Sequence, residues 1–219
     1  MSILLPMLKN GFRQKIIDFA DSHYYQTLTK TLIGCKSVLD VGCGSWSPLA
    51  RVKKTFSSEG IDIHQPSLNQ IKRLKIHDRY RLGDVTRLAN FYQPKSFDAV
   101  VCLDLIEHLE KPAGEKLLRA METIARRKVI LLTPNGFTGQ DPLKGNPHQV
   151  HRAGWRVADF KNRDYQVYGM RGAKFIRGGC ATIRFKPWFL WGLLATLSQP
   201  LVYFFPNLAY QLLAVKRTA

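Results

Sequence analysis

Apolar positions along the chain follow two periods, helical and strand-like, and the two alternate. Phe12, Ile16, Ile17, Ala20, Tyr24, Leu28 and Leu32 recur at helical spacing, which predicts an amphipathic helix over 11–33 that stops at Gly34. Short apolar runs then predict strands over 37–41, 60–63, 80–84, 97–103 and 128–133. Helices are expected between them: a basic one from Pro48 to about Thr55 capped by Ser47, one from Pro66 to Leu74, and one over 114–125. A polar loop from Gly136 to Ala153 leads to a short helix over 155–160, a sixth strand over 165–169 and a last strand over 209–215. Such alternation predicts an α/β, doubly wound, mostly parallel seven-stranded sheet with helices on both faces.

Residues 187–206 break the rhythm. They are strongly apolar, carry Trp188, Trp191, Tyr203, Phe204 and Phe205, and are interrupted at Ser198-Gln199-Pro200. A spanning helix needs about 20 predominantly apolar residues, so the interruption makes this a weak membrane span. It reads as an apolar helical insert before the last strand. Lys174, Arg177, Arg184 and Lys186 just ahead of it give 172–206 a basic and apolar character suited to lying in a membrane interface. The competing reading is two short helices packed over the sheet edge or against a second subunit.

At 219 residues the chain suits one domain, divided into the 11–33 helix, a ligand-binding core over 35–135 and the 172–206 insert. Thirty-three basic against sixteen acidic residues leave a charge of +17, which attracts nucleic acid, anionic lipid or an acidic substrate. Cys35, Cys43, Cys102 and Cys180 form no C-x-x-C pair, which argues against a zinc ribbon or dithiol redox motif and fits a reduced compartment. The opening MSILLPMLKNGF has neither the basic start nor the cleavage site of a signal peptide. A cytoplasmic place, at or near the membrane face, is expected.

Chemistry concentrates at the carboxyl ends of the predicted strands. Gly42-x-Gly44 after the first strand lets backbone approach a ligand closely, and Ser47 stands where a pyrophosphate-binding turn carries its third glycine. Asp62, twenty residues past Gly42, is placed to accept hydrogen bonds from ribose hydroxyls, and Asp84 to accept from a purine amine. These residues imply a nucleoside-sized ligand.

The series Val38-Leu-Asp-Val-Gly-Cys-Gly44, Ile61-Asp-Ile63, Gly83-Asp84 and Phe97-Asp-Ala-Val-Val101 resembles class I S-adenosylmethionine (SAM)-dependent methyltransferases of the type 11 group, over roughly 35–135. The resemblance implies SAM as cofactor. Gly42 and Gly44 would line its methionine part, and Asp40 would steady the glycine loop and the amino group. Asp62 and Ile63 would hold the ribose side, Asp84 and the Val85 amide the adenine, and the Leu103 carbonyl the methionine amine. Beyond the fourth strand, Asp104, Glu107 and His108 are spaced i, i+3, i+4 and would share a face if helical. His148 and His151 follow the fifth strand.

Ubiquinone-pathway O-methyltransferases look similar here, which makes His151, His108 or His148 candidate bases for methylating a hydroxyl of a small or lipid-linked acceptor. The small-RNA 2′-O-methyltransferases are also similar. By that likeness Asp104, Glu107, His108 and His151 would bind a divalent metal, with His148 as a substitute for His151 and an RNA acceptor as the alternative. This chain has Asp104 where those enzymes carry glutamate. A third reading is a non-catalytic SAM-binding subunit that holds a partner through the insert.

Overall fold

The computed structural model describes residues 11–140 and 146–218, with side chains described from Ser22 onward and not at Cys180. The expectation about the opening segment therefore lies outside the described residues, as do the side chains of Phe12, Ile16, Ile17 and Ala20.

Helix α1 (Gly11–Leu32) ends at Gly34, whose φ of +78° suits glycine. The strands are β1 (Ser37–Val41), β2 (Ser57–Asp62), β3 (Arg79–Leu82), β4 (Phe97–Leu103), β5 (Ala125–Pro134), β6 (Gln166–Ala173) and β7 (Ala209–Arg217). They form one open sheet in the order β3-β2-β1-β4-β5-β7-β6. All neighbours are parallel except β7, which runs antiparallel between β5 and β6. Seven strands in a mostly parallel sheet agree with the pattern read from the sequence.

β4 is central, and every one of its residues is buried. Val100 and Cys102 face a layer that includes helix α3 (Lys111–Ile124) and, from helix α4 (Val157–Lys161), Phe160. Ala99, Val101 and Leu103 face the opposite layer, where α1 contributes Tyr24, Leu28 and Leu32. A strand covered on both faces has no polar position to alternate, which is why its sequence is continuously apolar. Helix α2 (Gln65–Arg73) starts where His64 accepts from the Ser67 amide and Pro66 fixes the first turn, and it buries Leu68 and Ile71.

Three expectations need correction. Pro48 to Thr55 is not a helix: Ser47 caps a single 3-10 turn, Pro48–Arg51, after which Val52 is extended. Of that turn only Leu49 is buried, so no apolar stripe exists to carry the helix further. Trp155 precedes α4 and bridges Asn135 and Gly136. β6 runs on to Ala173, so the insert begins later than position 172.

The insert folds as α5 (Trp188–Leu197) and α6 (Gln199–Phe204). Among the described residues no helix is long and apolar enough to cross a membrane. Ala195 and Val202 are buried in a small cluster with Ala173 and Ala209 of the sheet. The approach is close: a Cβ at Gly169 would lie 2.0 Å from the Val202 oxygen. Buried Gln199 fixes the contact, donating to the Gly169 carbonyl (2.9 Å) and accepting from the Gly172 amide (3.0 Å). These are groups of edge strand β6, which the insert thereby covers. Gln199→Ala leaves both backbone groups buried and unpaired, and is expected to lower stability by about 2–4 kcal/mol, read from the shift of the urea midpoint.

Candidate active site

The ligand-binding half of the site is a set of loops braced by carboxylates. Gly42 and Gly44 have φ of +72° and +59°, a left-handed turn that directs the chain off β1. Asp62 at the end of β2 is buried, with one oxygen accepting from the Gly44 amide (2.9 Å) and the other from the His64 amide (2.8 Å). Each oxygen keeps a further lone pair for a ligand. Asp40 accepts from the Ser47 hydroxyl (2.5 Å), bracing the far side of the glycine loop. His77 lies with Nε2 3.3 Å from the same Asp40 oxygen and Nδ1 against the Ser58 hydroxyl. Nothing in the local sequence around His77 signals that role; packing of the segment before β3 beneath the loop creates it.

Asp84 caps a 3-10 turn over Val85–Asn90, accepting at one oxygen from the Thr86 amide and hydroxyl. Ile63 and Leu82, at the ends of β2 and β3, are exposed beside this edge, while Val85 is buried. Leu103 ends β4, and the chain then turns sharply.

The second half of the site begins there. Asp104 has a φ of +55°, and only Ile106–His108 form a 3-10 turn. Asp104, Glu107 and His108 therefore do not share a helical face, as the spacing alone implied. Glu107 is buried and accepts from the Thr133 hydroxyl (2.9 Å), while its backbone carbonyl accepts from the Arg152 and Ala153 amides (2.8 and 3.1 Å). Those two bonds draw the post-β5 loop onto the β4 exit, bringing His151 against His108 with ring centroids 4.8 Å apart.

The Nδ1 atoms of both rings contact backbone carbonyls, Val150 for His108 (3.2 Å) and Thr138 for His151 (2.5 Å). In the neutral form Nδ1 must carry the proton to make these bonds, which makes Nε2 the unprotonated nitrogen; His108 also interacts with the Asp104 backbone. Burial pushes the Glu107 carboxyl well above its ordinary range, with Asp104 adding repulsion. Burial, with His151 nearby, pushes His108 down to about 4. One ligating atom each from Glu107, His108 and His151 lie within 4.8 Å of one another, a geometry open to a cation. Asp104 is not in that group; it accepts from Gln211 (2.7 Å). His148 stands apart and exposed on the turn Pro147–Gln149.

Asp104, Glu107, His108 and His151 line one small pocket with Arg171, Tyr210 and Gln211, three residues that sequence reasoning missed. Gln211 had a visible signal, since it is the one amide inside an apolar strand. Arg171 had none. It and Gly172 sit in a bulge of β6 with φ of +62° and +73°, and bulges re-aim side chains. Among the described residues six non-glycine positions have positive φ, and Asp104, Arg171 and Ala181 of these line this one pocket. Left-handed residues are thus concentrated at this pocket, the kind of backbone that recurs where side chains are re-aimed.

Residues 39–133 match the protein family described as a methyltransferase domain. By this match residues 39–133 form a methyltransferase domain. A ubiquinone biosynthesis O-methyltransferase of Alkalilimnicola ehrlichii is 34% identical over 119 residues, or 51% of this chain and 43% of that protein. The chain thus spans less than half the length of this curated relative. Among solved structures, a SAM-dependent methyltransferase from Archaeoglobus fulgidus aligns at a TM-score of 0.55 and 16% identity, over 92% of this chain and 99% of that one. Magnesium protoporphyrin IX methyltransferase from Synechocystis PCC 6803, crystallised with SAM, aligns at 0.53 and 15%, over 95% and 85%. These two likenesses establish the shared fold. In this methyltransferase domain the glycine loop, Asp62 and Asp84 lie at or just past the ends of β1, β2 and β3.

Two substitutions test the cofactor half. A Cβ at Gly42 would lie 2.5 Å from the Leu105 side chain and would occupy a left-handed φ. Gly42→Ala is expected to weaken SAM binding at least tenfold by calorimetry. Asp62→Ala, which releases Gly44 and removes the ribose acceptor, is expected to cost about 10–100-fold. Unchanged affinity in both would remove this loop from the cofactor site.

Proposed function

We propose that the chain transfers a methyl group from SAM to a hydroxyl of a small or lipid-linked acceptor, working at the cytoplasmic face of a membrane. The observation that supports the hydroxyl chemistry is the pair of imidazoles beside the β4 exit, each held at Nδ1 by a backbone carbonyl. The likeness to a ubiquinone biosynthesis O-methyltransferase supports the same acceptor chemistry.

The chain's residues fit SAM: a turn where Gly42 leaves room for no side chain, and a carboxylate already oriented at Asp62. Bound SAM supplies a methyl group on a sulfonium. The remaining task is alignment of the acceptor oxygen with that methyl and exclusion of water. His151 takes the acceptor proton at Nε2, with the Thr138 carbonyl fixing its tautomer. His108, held near 4, stays neutral at physiological pH and is a poor proton acceptor, so it positions rather than deprotonates.

The grouping of Glu107, His108 and His151 favours one second reading, in which a divalent cation sits between them. A carboxylate with two neutral imidazoles suits such an ion, which would lower the pKa of a hydroxyl. Under that reading Asp104 and His148 are not ligands.

Support for the membrane comes from the outward face of the insert. Leu197 and Phe204 are 66% and 75% exposed, and Trp188, Phe189, Leu193 and Leu201 are also exposed. Exposed apolar side chains of this kind on two successive helices, with basic residues before them, suit anionic bilayers.

Methyl-labelled SAM incubated with fractionated source extract tests both readings. Label is expected in lipid or small molecules, and His151→Ala is expected to cut it by about 10²–10⁴-fold without changing SAM affinity. Loss of label on chelation would establish the metal reading, and label confined to RNA would replace the acceptor. Phe204→Ser with Leu197→Ser is expected to reduce sedimentation with phosphatidylglycerol vesicles; wild-type protein that stays in the supernatant would remove the membrane from the proposal.

A further inference from the structure

A second, larger cavity of about 680 Å3 adjoins the catalytic pocket. Tyr210 lines both. Thr138, whose carbonyl holds His151, also lines the larger one. Its volume falls within the range of small-molecule sites. Phe175, Leu201 and Leu208 give it apolar walls, and Lys174, Arg177 and Arg184 are its charged residues. None of the lining residues is acidic.

The two kinds of wall are supplied by different parts of the fold. Arg177 donates to the carbonyls of Arg171 (2.6 Å) and Ala181 (2.7 Å), both of which line the catalytic pocket. Lys174 donates to the Asn135 carbonyl, just past the end of β5. These cations are therefore anchored at the catalytic side. Leu201 and Val202 come from α6 and Leu208 from the turn after it, so the insert provides an apolar wall. Leu201 is also more than half exposed, which makes the cavity wall continuous with the outer apolar face.

We infer that this cavity is the acceptor subsite, and that it takes an amphiphile with an anionic group set between the methylated hydroxyl and an apolar chain. The anion pairs with Lys174, Arg177 and Arg184, and the chain lies along α6 toward the exposed face. A purely polar polyanion such as RNA would leave the apolar wall unused, and a neutral lipid would make no use of the positive charge that three basic residues bring to the cavity. The inference rests on the acceptor chemistry proposed above and names its substrate class.

The test is a binding measurement that needs no turnover. Dodecyl phosphate, below its micelle concentration, is titrated by calorimetry into the full chain with S-adenosylhomocysteine present. One molecule is expected to bind per chain, with inorganic phosphate and dodecyl maltoside each at least tenfold weaker. Arg184→Gln and Leu201→Asp, both at exposed positions that the fold tolerates, are expected to weaken binding roughly tenfold or more, the size of one lost charge-assisted hydrogen bond. Absence of saturable binding, or equal affinity in wild type and Leu201→Asp, overturns the inference. So does an equal loss in Leu193→Ser, on the exposed face of α5 outside the cavity, because the probe would then be adsorbing to that face. Inorganic phosphate binding as tightly as dodecyl phosphate would assign a free-phosphate site and overturn the amphiphile. Methyl label entering lipid with full efficiency in Leu201→Asp would keep the acceptor reading while removing the cavity. One-to-one dodecyl phosphate binding with label only in RNA would do the reverse.

Discussion

The close approach of Gly42 to Leu105 joins the two halves of the site. A methyl group at position 42 would sit 2.5 Å from the leucine side chain, so the β1 loop and the β4 exit are in direct contact. The first loop carries the glycine turn and the second leads into Glu107 and His108. Because β1 and β4 are neighbours in a parallel sheet, their carboxyl ends meet at one edge. Contact between the loops then sets the distance between the glycine turn and the imidazoles. The carboxylates of Asp40 and Asp62 brace the glycine loop from opposite sides, and the Glu107 carbonyl holds the post-β5 loop against the β4 exit. Few of these bonds are large individually. Together they fix a site made almost entirely of loops.

The insert reconciles two readings that looked exclusive. Its inner side behaves as core: Ala195 and Val202 are buried, and Gln199 satisfies backbone groups on the edge strand. Its outer side remains apolar and open. A helix that is apolar on every side in sequence can be buried on only one side when it covers the edge of a sheet. Glycines at 169 and 172 make the arrangement possible, because α5 and α6 approach β6 too closely for side chains. The same rigid seat lets one element line the larger cavity and face outward.

How much of this was legible depends on whether a residue's role is local. Gly42, Gly44, Asp62 and Asp84 are read from the residues around them, since each sits at the end of a strand whose apolar run marks its own limit. In the structure Asp62 and Asp84 also accept from amides of their own loops, a bracing role the local sequence does not announce. The 3-10 turn at Pro48 was over-read as a helix because a good cap and a first-position proline start a helix without guaranteeing a face to bury. Asp104, Glu107 and His108 were over-read the same way: their spacing fits a helix, but the chain leaves β4 through a left-handed residue.

By itself the sequence determined the sheet, its two-sided cover and the glycine loop with its acids, because periodicity and turn chemistry act over a few residues. The resemblance put His151 ahead of His148 beside Glu107, and tertiary structure supplied the physical reason, the Glu107 carbonyl accepting from Arg152 and Ala153. Tertiary structure alone delivered Arg171, through a bulge at the edge strand, and Gln211, through an antiparallel strand that returns between β5 and β6. These contacts join residues as many as 107 positions apart, as Asp104 and Gln211 are, and no local pattern encodes a pairing of that range.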